Sequence, residues 1–200
     1  MGCRFPNEEQ RAWIAEQLYP KQVVLICFPE PEQTKWASDL VTECGATPVI
    51  YGEDLRWKAL LTLAFSTRAS AVIGDPQMVL GLSKLARCYG MPLKIRHAFL
   101  VGRAHGDWLR EGVQQGLDCT VTDLPLEDDG REEDLQTLEE HLLCWTSVLD
   151  CALHKGSFGL EIHLLTFAGE KIPRIPTCAR LVMRPWAPEG DIPMILSENH

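Results

Sequence analysis

Positive charge is scarce in this chain. Its 200 residues carry 19 Lys and Arg against 28 Asp and Glu, a net charge of −9 and a pI of about 5.1. An acidic surface repels phosphate backbones and anionic lipid, and no basic stripe offsets it, so neither nucleic acid nor a membrane is an expected partner. No apolar run is long enough to span a bilayer. The opening "MGCRFPNEEQ" has no apolar core of the kind a secretion signal needs. It begins as a myristoylation site does, but Pro6 stands where Ser or Thr is wanted. No C-x-x-C pair occurs either. Eight cysteines would form a disulfide framework in a small secreted chain, whereas here Cys27 and Cys119 fall in apolar, strand-like runs and Cys88 and Cys144 in helical patterns. Buried reduced thiols act as small hydrophobes, and the expected compartment is the cytoplasm.

Phosphate-binding signatures are missing as well. Neither G-x-G-x-x-G nor G-x-x-x-x-G-K-[ST] is present, which excludes a dinucleotide fingerprint and a Walker loop. The nearest substitute is "SAVIGDPQMVLGLSKLA", residues 70–86. A phosphate cradle points several successive backbone N–H groups at one anion, and this corner has a single Gly before Pro76, which carries no N–H. Asp75 fits a helix N-cap and Pro76 the first helical position, so the corner reads as a joint between strand and helix.

What the sequence does contain is a rhythm. Apolar content of 46% suits a folded domain with a full hydrophobic core. "QVVLICF" (22–28) is a continuous β-branched run, as in a strand buried on both faces. Trp36, Leu40, Val41 and Cys44 then recur at helical spacing and stop at Gly45. Strand-like "TPVIYG", "ASAVIG", "KIRHAFLVG" and "DCTVTDL" alternate with helical "EDLRWKALLTLAFSTR", "PQMVLGLSKLARCYG" and "DWLREGVQQGL", the last weakened by Gly112 and Gly116. The alternation predicts an α/β fold: three layers, a mostly parallel sheet with helices on both faces, filling residues 1–127. An acidic stretch, "LPLEDDGREED", marks a boundary near residue 128 and reads as a solvated link. Residues 128–200 form a small α+β appendage: a helix through Leu135, Leu138, Leu142 and Trp145, a hairpin turning at Lys155-Gly156-Ser157, and a further strand, "ARLVMRPW".

Parallel α/β sheets bind ligands at the carboxyl ends of their strands. The corners there are Gly52 to Trp57, Gly74 to Pro76, Gly102 to His105, and Thr122-Asp123 at the end of the fifth strand. Gly74 and Gly102 leave room for a ligand to approach the backbone. Arg103 and His105, in "GRAHGDW", supply the positive charge that a carboxylate or phosphate needs. Asp54 fits an N-cap equally well, and Trp57 a core position. Two further constellations fall short. His141, Cys144, Cys151 and His154 have zinc-ligand chemistry, but Cys151 and His154 lie three apart on a strand and face opposite ways. Ser157 in "KGSFG" has Lys155 where a nucleophile elbow has Gly, and it sits between two strands. No metal is expected.

The same strand–corner–helix segment carries a resemblance. "ECGATPVIYGEDLRWKALLTLAFSTRASAVIGDPQMVLGLSKLA", followed by "GMPLKIRHAFLVG", resembles the adenylate-forming superfamily of acyl-CoA synthetases, adenylation domains and luciferases, and within it the phenylacetate–CoA ligase branch. Gly45-Ala46 match the "Ga" of a family strand, Pro76 matches its Pro, and Gly102 matches the Gly of "sGE", where Arg103 replaces Glu. "CTVTD" meets the family's Y-G-x-T-E at Thr122 and Asp123, which the resemblance makes a phosphate-contacting Thr and a magnesium-holding acid. ATP or AMP, magnesium and coenzyme A are implied as cofactors by the resemblance alone. The match covers about residues 20–125. The family's Ser/Thr/Gly-rich phosphate loop is absent, the chain is under half the family's length, and the adenylation lysine has only Lys171 in "GEKIPRIP" as a counterpart. The resemblance therefore implies a truncated, ligase-like protein without autonomous adenylation. It would bind an acyl, aryl or nucleotide ligand, or a partner chain or second copy. The alternative is a small acyl-activating ligase or acyltransferase working through Arg103, His105 and Asp123.

Overall fold

The computed structural model describes residues 5–52, 56–126, 133–156, 159–167 and 179–186. The chain divides into two compact units, residues 1–129 and 130–200.

The first unit opens with α1 (Glu8–Gln17), a helix that the hydrophobic pattern did not announce. A reciprocal cap starts it: the Gln10 N–H donates to Asn7 Oδ1 (2.8 Å) and the Asn7 N–H to Gln10 Oε1 (3.0 Å). Then follow β1 (Val23–Cys27), α2 (Pro31–Glu43), β2 (Thr47–Tyr51), α3 (Trp57–Thr67), β3 (Ala71–Gly74), α4 (Pro76–Cys88), β4 (His97–Gly102), α5 (Asp107–Leu117) and β5 (Thr120–Pro125). The five strands form one parallel sheet in the order β2-β1-β3-β4-β5. The chain thus steps from β1 to β2 in one direction and runs from β3 to β5 in the other. Since crossovers are right-handed, α2 lies on one face and α3, α4 and α5 on the other. Side chains sort accordingly. Val24, Ile26, Ile73, Phe99 and Val101 pack with Ile14, Ala37, Leu40 and Val41 of α1 and α2.

The opposite face is held together by glycines. A Cβ on Gly81 of α4 would lie 2.0 Å from the ring of Trp57, which begins α3 and is only 2% exposed. A Cβ on Gly116 of α5 would lie 2.8 Å from Ser83 of α4, and one on Gly112 would lie 3.0 Å from Leu80. Gly112 and Gly116 therefore do not simply weaken α5. They are the surface on which it crosses α4, and Ser83 Oγ, inside that crossing, donates to the Leu80 carbonyl at 2.7 Å.

The second unit contains α6 (Glu133–Leu143), β6 (Val148–Gly156), β7 (Gly159–Phe167) and β8 (Arg180–Trp186). β6 and β7 pair antiparallel, as a hairpin should, but β8 returns parallel to β7, so the sheet is mixed rather than all antiparallel. Cys27, Cys119 and Cys151 are buried. Cys88, the last residue of α4, and Cys144, just past α6, are exposed, so helical pattern alone misplaced these two.

Among the described residues no helix is long and apolar enough to cross a membrane.

Candidate functional site

The carboxyl ends of the five strands fall at Cys27, Tyr51, Gly74, Gly102 and Pro125, all on one edge of the sheet. With this strand order the topological switch point lies between β1 and β3, the usual place for a ligand in an open parallel sheet. Its chemistry here is acidic. Glu30 precedes Pro31 at the start of α2, Glu32 sits in the first turn, and Asp75 caps α4. Asp75 Oδ1 accepts the N–H of Gln77 (2.9 Å) and of Met78 (3.2 Å), and Pro76 occupies the first helical position. Its charge, after burial, helps push the Cys27 thiol well above the usual range. The Gly-Asp-Pro corner is a helix cap, and an anion placed there would meet carboxylates.

The two glycines that were expected to admit a ligand are filled by the protein. A Cβ on Gly74 would lie 2.4 Å from Cys27 Sγ and 2.5 Å from the Cys27 carbonyl oxygen. One on Gly102 would lie 2.7 Å from Pro76 Cδ. Both positions let neighbouring corners of the sheet pack together. Trp57 likewise serves packing, with its ring against Gly81. Asp54 lies outside the described residues. The Tyr51 hydroxyl accepts the Arg56 N–H and donates to the Arg56 carbonyl.

Thr122 and Asp123 do not end their strand. β5 continues to Pro125, with Leu124 opposite Val101 and Pro125 opposite Gly102, and the Leu126 N–H donates to the Gly102 carbonyl at 2.7 Å. Thr122 is opposite Phe99 and Asp123 opposite Leu100, so the two project to opposite faces of the sheet. Thr122 shares its face with Phe99, which also meets Trp13 edge-on (6.0 Å) and the stacked ring of His97 (5.3 Å). Asp123 faces α5 instead. Partial burial raises its carboxyl above the usual range, Arg110 opposes that shift, and Asp107 adds to it. Arg110 and Asp107 are themselves paired at 2.9 Å.

The remaining corner, between β4 and α5, contains Arg103 and His105, both partly buried. His105 meets Trp108 edge to face, with ring centroids 6.3 Å apart. Gly106 is the N-cap of α5 and has no side chain to offer, so nothing caps the helix from that position. Burial first, and Arg103 second, push the His105 pKa down to about 4. The imidazole is therefore neutral near pH 7. Arg103 brings positive charge to this corner, and His105 is a neutral hydrogen-bonding group, not the second cation that the sequence led one to expect.

In the second unit, His163 Nε2 lies 2.8 Å from Glu161 Oε1, Arg180 lies 3.6 Å from Glu161 Oε2, and His154 meets His163 edge to face at 5.0 Å. Cys151 and His154, three apart on β6, project to opposite faces. No group of three or more metal-ligating side chains gathers among the described residues. Ser157 and Lys171 lie outside the described residues.

No family model matches the sequence, and no curated protein matches it. Among solved structures, the chain is similar to a 2-hydroxyisobutyryl-CoA ligase in the postadenylation state, with 13% identity, a TM-score of 0.49, and coverage of 57% of this chain and 27% of that one. An open conformation of the same ligase, in complex with 2-HIB-AMP and CoA, gives 13% identity, a TM-score of 0.47, and coverage of 60% and 32%. The chain spans about a third or less of the ligase it resembles. The likeness is to an acyl-CoA ligase and does not single out the phenylacetate–CoA ligase branch.

Proposed function

We propose that this chain is an acyl-CoA-ligase-like binding protein that holds a small carboxylate or phosphate-bearing ligand at the loop between β4 and α5 and does not adenylate on its own. The observation that carries this reading is Arg103. It brings positive charge to the carboxyl edge of the sheet in a chain of net charge −9, four residues ahead of the first residue of α5. Helix N-termini and guanidinium groups both favour anions, and Arg can take a carboxylate or phosphate bidentately. The neighbouring switch point carries Glu30 and Asp75 and disfavours the same ligand.

Two features weigh against catalysis. A base held near pKa 4 is too weak for general-base work at neutral pH. Thr122 and Asp123, which the family resemblance pairs on one adenylate, project to opposite faces of β5. The phenylacetate–CoA ligase resemblance makes aryl acids the first ligands to test, and the protein is taken to act in the cytoplasm, where its cysteines stay reduced.

Calorimetric titration with benzoate, benzenesulfonate, AMP and coenzyme A tests the reading. At least one should bind, and Arg103→Ala should weaken it by about 1.5–3 kcal/mol, roughly 10- to 150-fold, with little change in melting temperature. Pyrophosphate release from ATP and an acid, abolished by Asp123→Ala, would establish the chain as an enzyme instead.

A further inference from the structure

On the face of the large sheet that α1 and α2 cover, a cavity of about 350 Å³ is lined by Phe5, ahead of α1, and by Glu32, Lys35, Trp36 and Asp39 of α2. That volume lies at the low end of small-ligand sites, which run from about 300 to 1,000 Å³. Both aromatic walls are anchored. Phe5 is followed by the buried Pro6 and by Asn7, whose side chain caps α1. Trp36 packs against the core that α1, α2 and the sheet share. Charge is arranged around the indole. Glu32, Trp36 and Asp39 recur at i, i+4 and i+7, which sets the ring between two carboxylates on one face of α2. Lys35 falls three residues after Glu32 and four before Asp39, so the lining has two carboxylates to one ammonium, in a chain of net charge −9. Both carboxylates are exposed and can attract a cation without first being stripped of water. Aromatic faces attract cations too, indole most strongly.

We propose that this cavity binds a small quaternary ammonium ion, with its methyl groups against Phe5 and Trp36 and its charge answered by Glu32 and Asp39. Such a cation suits both halves of the lining. It has no N–H, so it gives up no hydrogen bonds to water on entering between aromatic walls, and its methyl surface is buried as hydrocarbon is. A primary ammonium ion would leave donors unpaired against the same walls. An anion would meet the carboxylates and the negative ring faces. The inference is separate from the anion reading above, because the cavity shares no residue with the β4–α5 loop and prefers the opposite charge.

The test is NMR titration of the full chain with choline and with 3,3-dimethylbutan-1-ol, its uncharged counterpart of the same shape, following the Trp36 indole N–H and the α2 amides. Choline should give saturable shifts there and bind about three- to tenfold more tightly than the alcohol. Phe5 is 42% exposed, so Phe5→Leu should leave the fold intact. That variant keeps an apolar wall but loses the ring, and should weaken choline by about three- to tenfold while hardly changing the alcohol. Glu32→Gln combined with Asp39→Asn should weaken choline alone, as added salt should in the wild type. Equal affinity for choline and the alcohol, choline binding that survives both variants, or no saturable shift at Trp36 overturns the proposal. Each of these failures leaves the anion site at Arg103 standing.

Discussion

Gly102 separates a packing role from a ligand role, because its backbone is one that alanine can adopt: the glycines with positive φ among the described residues are Gly45, Gly90 and Gly159. Gly102→Ala therefore adds a methyl group without backbone strain. That methyl would lie 2.7 Å from Pro76 Cδ and 3.2 Å from Pro76 Cγ, where ordinary contact begins near 3.4 Å. Something must yield by about 0.7 Å. Pro76 yields poorly, being a rigid ring, buried, and fixed as the first residue of α4 beneath the Asp75 cap. Overpacking of this kind costs about 1–3 kcal/mol, and 2 kcal/mol is about 4–8 °C in melting temperature for a domain of this size. A double-mutant cycle with Pro76→Ala isolates the contact, since removing the ring should recover most of the loss and give a coupling of about 1 kcal/mol or more. Thermal and urea unfolding of the four proteins is the assay. A Gly102→Ala variant of wild-type stability, or one whose loss Pro76→Ala does not relieve, would refute the packing assignment and return Gly102 to the ligand site.

Other outcomes follow from the same structure. His105 has a folded pKa of about 4 against an ordinary 6.5, so the unfolded chain takes the proton first; stability should be flat above about pH 6.5 and fall by about 2–3 kcal/mol as pH drops toward 4, and His105→Asn should flatten that slope in pH-dependent unfolding. Asp123 has a raised pKa, so the charged form is disfavoured by folding and its cost appears as pH rises through that pKa; Asp123→Asn should hold or raise the melting temperature near pH 7, and a lowered one would mean that attraction to Arg110 outweighs desolvation. Asp75→Ala removes the α4 cap and should cost about 1 kcal/mol by urea unfolding.

Much of the fold was legible because strand and helix periods were clean. "QVVLICF" read as a buried strand and "ASAVIG" as a strand, and they became β1 and β3, side by side in the sheet. The Asp75-Pro76 corner was legible for a local reason: capping depends on three or four consecutive residues. Features set by partners distant in sequence were not. The end of β5 is fixed by its register against Val101 and Gly102, so Thr122 and Asp123 looked terminal when the strand still had Leu124 and Pro125 to run. Gly112 and Gly116 looked like helix defects because their spacing gains meaning only beside Leu80 and Ser83. The same four-residue spacing of glycines was the available signal for a close helix crossing. α1 escaped because Ile14 is its one buried residue, although Asn7 and Gln10 spelled out a capping pair. At the site, the sequence showed Arg103 and His105 together but could not show that burial and Arg103 keep the imidazole neutral.

The central claim is that an anion is held at the β4–α5 loop, and the most direct measurement is amide NMR mapping of benzenesulfonate and AMP on the full chain, repeated with Arg103→Ala. The account predicts saturable shifts concentrated at Gly102–Asp107 and the first turn of α5, greatly reduced in the variant. Shifts centred on Phe28, Glu30 and Asp75 at the switch point, on the His154–His163 sheet, or unchanged by Arg103→Ala would contradict it.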